Sequence, residues 1–420
     1  MRSNLLSAMK HEENLCKNFL HMTSYENRMS RTAQQFLNSD LGNRYHLSTP
    51  SSHNGQAISV QIGGFSCRAL TAVHELEVQA TAAACEMFGA KHAELRLVSG
   101  VHATLSTIAA MTYAGDTVYS IAPEDGGHFA TKQVAESLGR RSRYIPWDNE
   151  RLNISLEKCS AAFAYRPPSM IFLDHGTPLF NLPVESLKSL LPPDCILVYD
   201  ASHTLGLIAG GEFQRPLSEG ADILQGNTHK TFPGPQKAMV LFKDENLGRQ
   251  YSDKVSMGLV SSQHTHHTIA LCITILEMQH HGKNYARDML TNAQSLGAAL
   301  QSEGVGLLSY NNCFTNSHEL LISSGWSDSN LEATDRLFRS NISVNGRVAF
   351  SRPTIRIGVQ ELTRRGMGPI QMQQIAALLA TAIRDSGSEQ NLRDHVRLIT
   401  SDFPNILYSF DADGLESGQR

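Results

Sequence analysis

Gly226-Asn227-Thr228-His229-Lys230-Thr231-Phe232-Pro233-Gly234-Pro235 sets a single lysine among small, polar and turn-forming residues, just after the mostly apolar run Ala221-Asp222-Ile223-Leu224. A surface lysine ordinarily shares an amphipathic face with other charges. This one follows a strand-like segment and precedes a Pro-Gly-Pro turn, which restricts the backbone and directs the side chain into a loop-lined space. Desolvation there lowers the pKa of an amine and suits it to condensation with an aldehyde. On this segment alone, a catalytic lysine and an ordinary loop lysine are equally good readings.

The upstream chain shifts the balance. Cys195-Ile196-Leu197-Val198-Tyr199-Asp200 reads as a buried parallel strand ending in an acid, followed by Ala201-Ser202-His203. The carboxyl ends of strands in an α/β sheet form the edge where such folds bind ligands. Pyridoxal phosphate needs a carboxylate at its pyridinium nitrogen and a lysine at its aldehyde carbon. Asp200 and Lys230 follow two successive candidate strands and can face one cofactor. Reading Asp200 as a helix cap leaves unexplained why both strands lead into reactive groups.

Further runs extend the pattern: Asp125-Gly126-Gly127-His128, then Ile355-Arg356-Ile357-Gly358-Val359-Gln360, ending in Leu362-Thr363-Arg364-Arg365-Gly366. With Tyr199-Asp200-Ala201-Ser202-His203 and Thr228-His229-Lys230-Thr231, they resemble the serine hydroxymethyltransferase branch of the fold-type I pyridoxal-phosphate enzymes. The order agrees over roughly residues 20–380. Within that branch the chain is most similar to the L-threonine transaldolases, which share the run from Gly226 to Thr231, Pro233-Gly234-Pro235-Gln236-Lys237, and the run from Arg356 to Gly366. The resemblance implies an aspartate aminotransferase-like α/β fold, pyridoxal 5'-phosphate, and a homodimer with shared active sites.

Bulk properties agree. A chain of 420 residues exceeds one typical core. The net charge of -4, without a long basic run, points away from nucleic acid. Seven scattered cysteines (Cys16, Cys67, Cys85, Cys159, Cys195, Cys272 and Cys313) show no paired metal spacing and suit reduced thiols. Lys10, His11, Glu12 and Glu13 interrupt the start before a signal-peptide core develops. No run approaches the roughly 20 apolar residues needed to cross a bilayer. The expectation is a cytoplasmic protein without membrane contact.

The hydrophobic pattern divides the chain into a polar lead segment (1–48), a large cofactor-binding domain (49–281) and a smaller α+β domain (282–420). Apolar spacing predicts a helix over 70–88, closed by Gly89. Short buried strands are predicted over 116–121, 170–173, 195–199, 221–224 and 238–242. Strands alternating with helices imply a mostly parallel sheet covered on both faces. Beyond Gly282 the pattern predicts a helix over 285–300, a strand over 319–322 and a helix over 370–383.

Ser99-Gly100 precedes a helical run, and such a start can cap the helix while offering backbone amides to an anion. The resemblance makes this loop the phosphate cup, with Val101 where the family usually has another serine, and adds contacts from Thr228 and His229. It also implies that His128 stacks on the pyridine ring, that His203 lies near the phenolic oxygen, and that Thr177 contacts the cofactor. Arg356 becomes the anchor for an amino-acid carboxylate, using the paired donors of its guanidinium. Arg364 and Arg365 read as solvated or structural. The run Ser261-Ser262-Gln263-His264-Thr265-His266-His267 lacks a carboxylate or cysteine partner for zinc. In the family this segment crosses the dimer to the neighbouring phosphate through two glycines, whose places Ser262 and Gln263 take here.

The departures bear on the reaction. Tyr25 occupies the position of a substrate-contacting serine. Asn43-Arg44-Tyr45-His46-Leu47 resembles Asn-Lys-Tyr-Ala-Glu, so Tyr45 matches the family tyrosine and Leu47 replaces the glutamate used in one-carbon transfer. Leucine neither shuttles a proton nor bonds a hydroxyl. The resemblance therefore implies cleavage of Cα–Cβ in a β-hydroxy-α-amino acid such as L-threonine, with Lys230 as the cofactor lysine and His128 or Tyr45 carrying the hydroxyl proton. The glycyl unit then passes to another aldehyde. Tyr45, His203 and Arg356 are the substrate-contacting candidates. Alternatives are hydroxymethyl transfer between serine and glycine, racemisation or decarboxylation, and a cofactor-binding regulatory protein.

Overall fold

The computed structural model describes residues 2–47, 60–62, 65–67, 70–325 and 329–412. The expected boundary at 48/49 and the end of the polar tail lie outside them.

Seven strands form the main sheet: β1 His92–Glu94, β2 Thr117–Ser120, β3 Arg141–Tyr144, β4 Met170–Leu173, β5 Ile196–Asp200, β6 Ile223–Asn227 and β7 Ala238–Phe242. Their spatial order is β1-β7-β6-β5-β4-β2-β3, with β7 antiparallel to both its neighbours and the other pairings parallel. The strands read as continuous apolar runs because both faces are covered: Met170, Ile171, Phe172 and Leu173 are all fully buried. Each such side chain contributes about 1.5–3 kcal/mol by leaving water. The register sets Tyr199 beside Leu224 and Asp200 beside Gln225, so β5 and β6 end at one sheet edge.

Contacts divide the chain into two compact units, one comprising Asn27–Arg287 with the described part of Tyr408–Gly414, the other Met1–Glu26 with Asp288–Leu407. The lead segment expected over 1–48 is thus shared between them. Leu20–His21 pairs in parallel with Ile342–Ser343, and the Gly358 amide donates to the Met22 carbonyl at 2.7 Å. The division at Arg287/Asp288 falls close to the boundary expected at 281/282, but inside one helix that runs from Thr265 to Ser302 rather than over 285–300 alone. Glycine inside a helix costs about 1 kcal/mol relative to alanine. The tight approach here falls on Gly210, where a Cβ would stand 2.5 Å from the Gly282 carbonyl oxygen.

The second unit carries an antiparallel sheet of β8 Glu319–Ile322, β9 Asn345–Ala349 and β10 Arg352–Gly358, in the order β8-β10-β9. Leu320, Ile322, Ile355 and Ile357 belong to the core shared with the helices Asn330–Arg339, Pro369–Ile383 and Glu389–Ser401. Among the described residues, no helix is long and apolar enough to cross a membrane.

Candidate active site

β4, β5 and β6 each deliver a polar group from their carboxyl ends. Lys230 follows β6 and is buried at 7% exposure, its Nζ 3.0 Å from His203 Nε2. Its carbonyl accepts from Asn27 Nδ2 at 2.6 Å, and Thr231 Oγ1 donates to the His203 carbonyl at 2.7 Å. The lysine backbone is therefore fixed on both sides.

Asp200 ends β5. One carboxylate oxygen accepts from the Ser202 amide at 2.9 Å, the other from Gln225 Nε2 at 3.0 Å. Gln225 is fully buried and its Oε1 accepts from Thr107 Oγ1 at 2.8 Å, which orients its amide group toward Asp200. One cavity is lined by Lys230, Asp200, His203 and His128, together with Gly100, Val101, Ser202 and Asn227.

Ser99 caps the helix Gly100–Met111 by accepting from the His102 amide at 3.1 Å. The amides of Gly100 and Val101 have no intrahelical acceptor and form an anion-binding end. A Cβ at Gly100 would lie 2.1 Å from Asn227 Oδ1 and would displace that side chain. Glycine is required at 127, where a Cβ would lie 2.1 Å from the Ile121 backbone carbonyl oxygen. That close approach sets His128 at the cavity, its Nδ1 accepting from the Ala130 amide at 3.3 Å.

Other candidates lie elsewhere. Thr228 is fully buried, and its hydroxyl braces the Pro-Gly-Pro turn: it donates to the Pro235 carbonyl at 2.7 Å and accepts from the Lys237 amide at 3.2 Å. His229 is half-buried. Its Nδ1 has no hydrogen-bond partner among the described residues, and burial with the Lys230 charge pushes its pKa down to about 4. Thr177 is fully buried outside the cavity lining, and Tyr45 stands 67% exposed. Gln263 is buried, with its side-chain amide donating to the His46 carbonyl at 2.7 Å, while Ser262 is half-buried.

Arg356, in the other unit, is 5% exposed on β10. Its Nε donates to Asn345 Oδ1 at 2.9 Å, the Tyr25 ring centroid is 5.2 Å from the guanidinium carbon, and Glu319 lies 4.0 Å away. Gln360 holds the Tyr25 turn by donating to the carbonyls of Thr23 and Glu26, both at 2.8 Å. Arg364 and Arg365 are buried rather than solvated: Arg365 donates to the Thr400 and Phe403 carbonyls at 2.7 and 3.0 Å.

Sequence reading missed Asp174 and His175, both buried and both lining the cavity. They follow β4 at the same sheet edge, so the rule that singled out Asp200 applies to them equally. Asp174 accepts from the Ile121 amide at 2.8 Å; burial, reinforced by the Asp200 charge, pushes its pKa up to about 7. The folded apoprotein therefore retains a proton that the unfolded chain, at an ordinary 3.8, has released. Its stability falls as pH rises from about 4 to 7. Asp174→Asn keeps an acceptor for Ile121 and removes this loss. In urea unfolding, the variant is expected to exceed the parent at pH 8 by on the order of a few kcal/mol, with near equality at pH 4. Parallel pH profiles would contradict this assignment.

The serine hydroxymethyltransferase family model matches residues 1–379. The chain belongs to the serine hydroxymethyltransferase family. A fluorothreonine transaldolase of Streptantibioticus cattleyicolor is 39% identical over 93% of this chain, which spans 61% of that protein. A serine hydroxymethyltransferase of Methanopyrus kandleri is 33% identical over 96% of this chain and 93% of its own. The crystal structure of L-threonine transaldolase from Pseudomonas fluorescens in the internal aldimine state superposes with a TM-score of 0.90 at 27% identity, covering 99% of this chain and 95% of that one. The fold is that of the fold-type I pyridoxal-phosphate transferases, and the protein is a pyridoxal-phosphate-dependent enzyme of this type.

The residues fit that cofactor. A buried amine, a carboxylate, a histidine and an anion-binding helix end line one cavity, as an aldehyde, a ring nitrogen, a ring face and a phosphate require. Members of the family are typically dimeric.

Proposed function

We propose that the enzyme cleaves the Cα–Cβ bond of L-threonine or a related β-hydroxy-α-amino acid and transfers the glycyl unit to a second aldehyde. Leu47 carries this reading: it stands where folate-dependent relatives have their glutamate, and it has no group for one-carbon chemistry. The two transaldolase likenesses support it.

Bound pyridoxal phosphate supplies an aldehyde for amine capture and a ring that accepts the electron pair of the broken bond. Lys230 would hold the aldehyde carbon and Asp200 would keep the ring nitrogen protonated, while His203 positions the Lys230 amine. His128 would cover the ring, and the amides of Gly100 and Val101 would receive the phosphate. Arg356 remains the candidate for the substrate carboxylate, by the paired donors of its guanidinium. His128, or Tyr45 from a second copy, takes the β-hydroxyl proton as Cβ departs in an aldehyde. The same group returns a proton to the new alkoxide once Cα has attacked the acceptor.

The test supplies L-threonine with alcohol dehydrogenase and NADH to detect acetaldehyde. Release dependent on the protein supports the proposal. No release, with serine cleaved only when tetrahydrofolate is present, would favour hydroxymethyl transfer, the reading to which the Methanopyrus relative points.

A further inference from the structure

Lys237 is fully buried, and its ammonium donates to the Gln263 carbonyl at 2.9 Å. Burial pushes its pKa down to about 8, against the opposing charges of Glu77 and Glu94. An ammonium in such a place is costly, and the cofactor cavity does not use it. What it grips is a loop that grips another. Gln263 Nε2 donates to the His46 carbonyl at 2.7 Å, and Thr265 Oγ1 donates to the Arg44 carbonyl at 2.7 Å. Arg44 and His46 flank Tyr45.

The His46 ring secures the far side. Its Nδ1 accepts from the Leu70 amide at 3.1 Å, so Nε2 carries hydrogen and donates to Glu77 at 2.7 Å. His46, His74 and Glu77 cluster closely enough to hold a metal ion, but this tautomer removes His46 as a ligand. Tyr45 is thus held at both neighbouring residues while its side chain stands exposed, away from its own chain's cavity.

We propose that Lys237 is a positioning residue for the active site of a second copy: it locks residues 261–267 and 43–47 into one brace that presents Tyr45 across the dimer. The inference rests on the shared site of the proposed function. Without Lys237 the loop slackens, Tyr45 loses its fixed position, and the neighbouring copy's reaction slows. A misplacement of about 1 Å costs up to about 100-fold in rate.

The test uses two tags to isolate heterodimers of Lys237→Met with Lys230→Ala. The Lys230→Ala copy is inactive at its own site but supplies an intact brace to the other. The Lys237→Met homodimer is expected to lose about 10- to 100-fold. The heterodimer should recover about half of wild-type activity, one repaired site of two. Recovery distinguishes a brace acting across the dimer from damage confined to one chain. A heterodimer with no gain, or a Lys237→Met homodimer as active as wild type, overturns the inference. Tyr45→Phe paired with Lys230→Ala separates the two readings. Recovery there alone overturns the brace and leaves the shared site standing; recovery in neither pair, or failure to isolate a two-tag complex, overturns both. If Lys237→Met does not fold, the near-isosteric Thr265→Val takes its place under the same criteria.

Discussion

Lys230→Ala is expected to lower kcat/KM for threonine cleavage by at least about 10⁴-fold, the loss seen when a covalent catalytic group is removed. The side chain that reaches His203 disappears, while the backbone contacts survive: the carbonyl at 230 still accepts from Asn27, and Thr231 still donates to the His203 carbonyl. The variant should keep its far-UV spectrum and unfolding midpoint close to wild type, and should lose its cofactor colour on dialysis. An ordinary loop lysine would show neither the rate loss nor the colour loss, so activity within tenfold of wild type would remove Lys230 from the chemistry.

Asp200→Asn should be the second largest loss, about 100- to 1,000-fold in kcat with little change in KM, because the carboxylate acts on charge that moves during reaction. Two features of the site make the substitution severe. The negative charge facing the cavity is removed. Gln225, whose Oε1 is held by Thr107, presents its amide hydrogens to the position where the new side chain places an oxygen or an amide. Asp200→Glu should regain part of the rate. Were Asp200 merely a helix cap, the asparagine variant would lose about 1 kcal/mol of stability or less and keep its rate.

The core of this site was legible because strand-end chemistry is local. Asp200 and Lys230 each lie within a few residues of an apolar run, and the parallel pairing of β5 and β6 converts that adjacency into a shared edge. Asp174 and His175 obey the same rule and were passed over because their run, Asp174-His175-Gly176-Thr177, was read only for its threonine. The helix through Gly282 was read only from Tyr285 onward because a glycine inside a helical pattern looks, along the chain, like a boundary. Arg364 and Arg365 read as solvated or structural, and the sequence could not choose because the carbonyl acceptors of Arg365 lie 35 and 38 residues away. The clamp around Tyr45 was beyond sequence reading for a related reason: its two hydrogen bonds span 217 and 221 residues.

Transfer of the glycyl unit is tested most directly with L-threonine labelled with ¹³C at its carboxyl carbon and Cα, incubated with the enzyme and benzaldehyde and followed by mass spectrometry. The account predicts unlabelled acetaldehyde and a new β-hydroxy-β-phenyl amino acid carrying both labels, without added tetrahydrofolate. Unreacted threonine alongside tetrahydrofolate-dependent conversion of serine to glycine would contradict it.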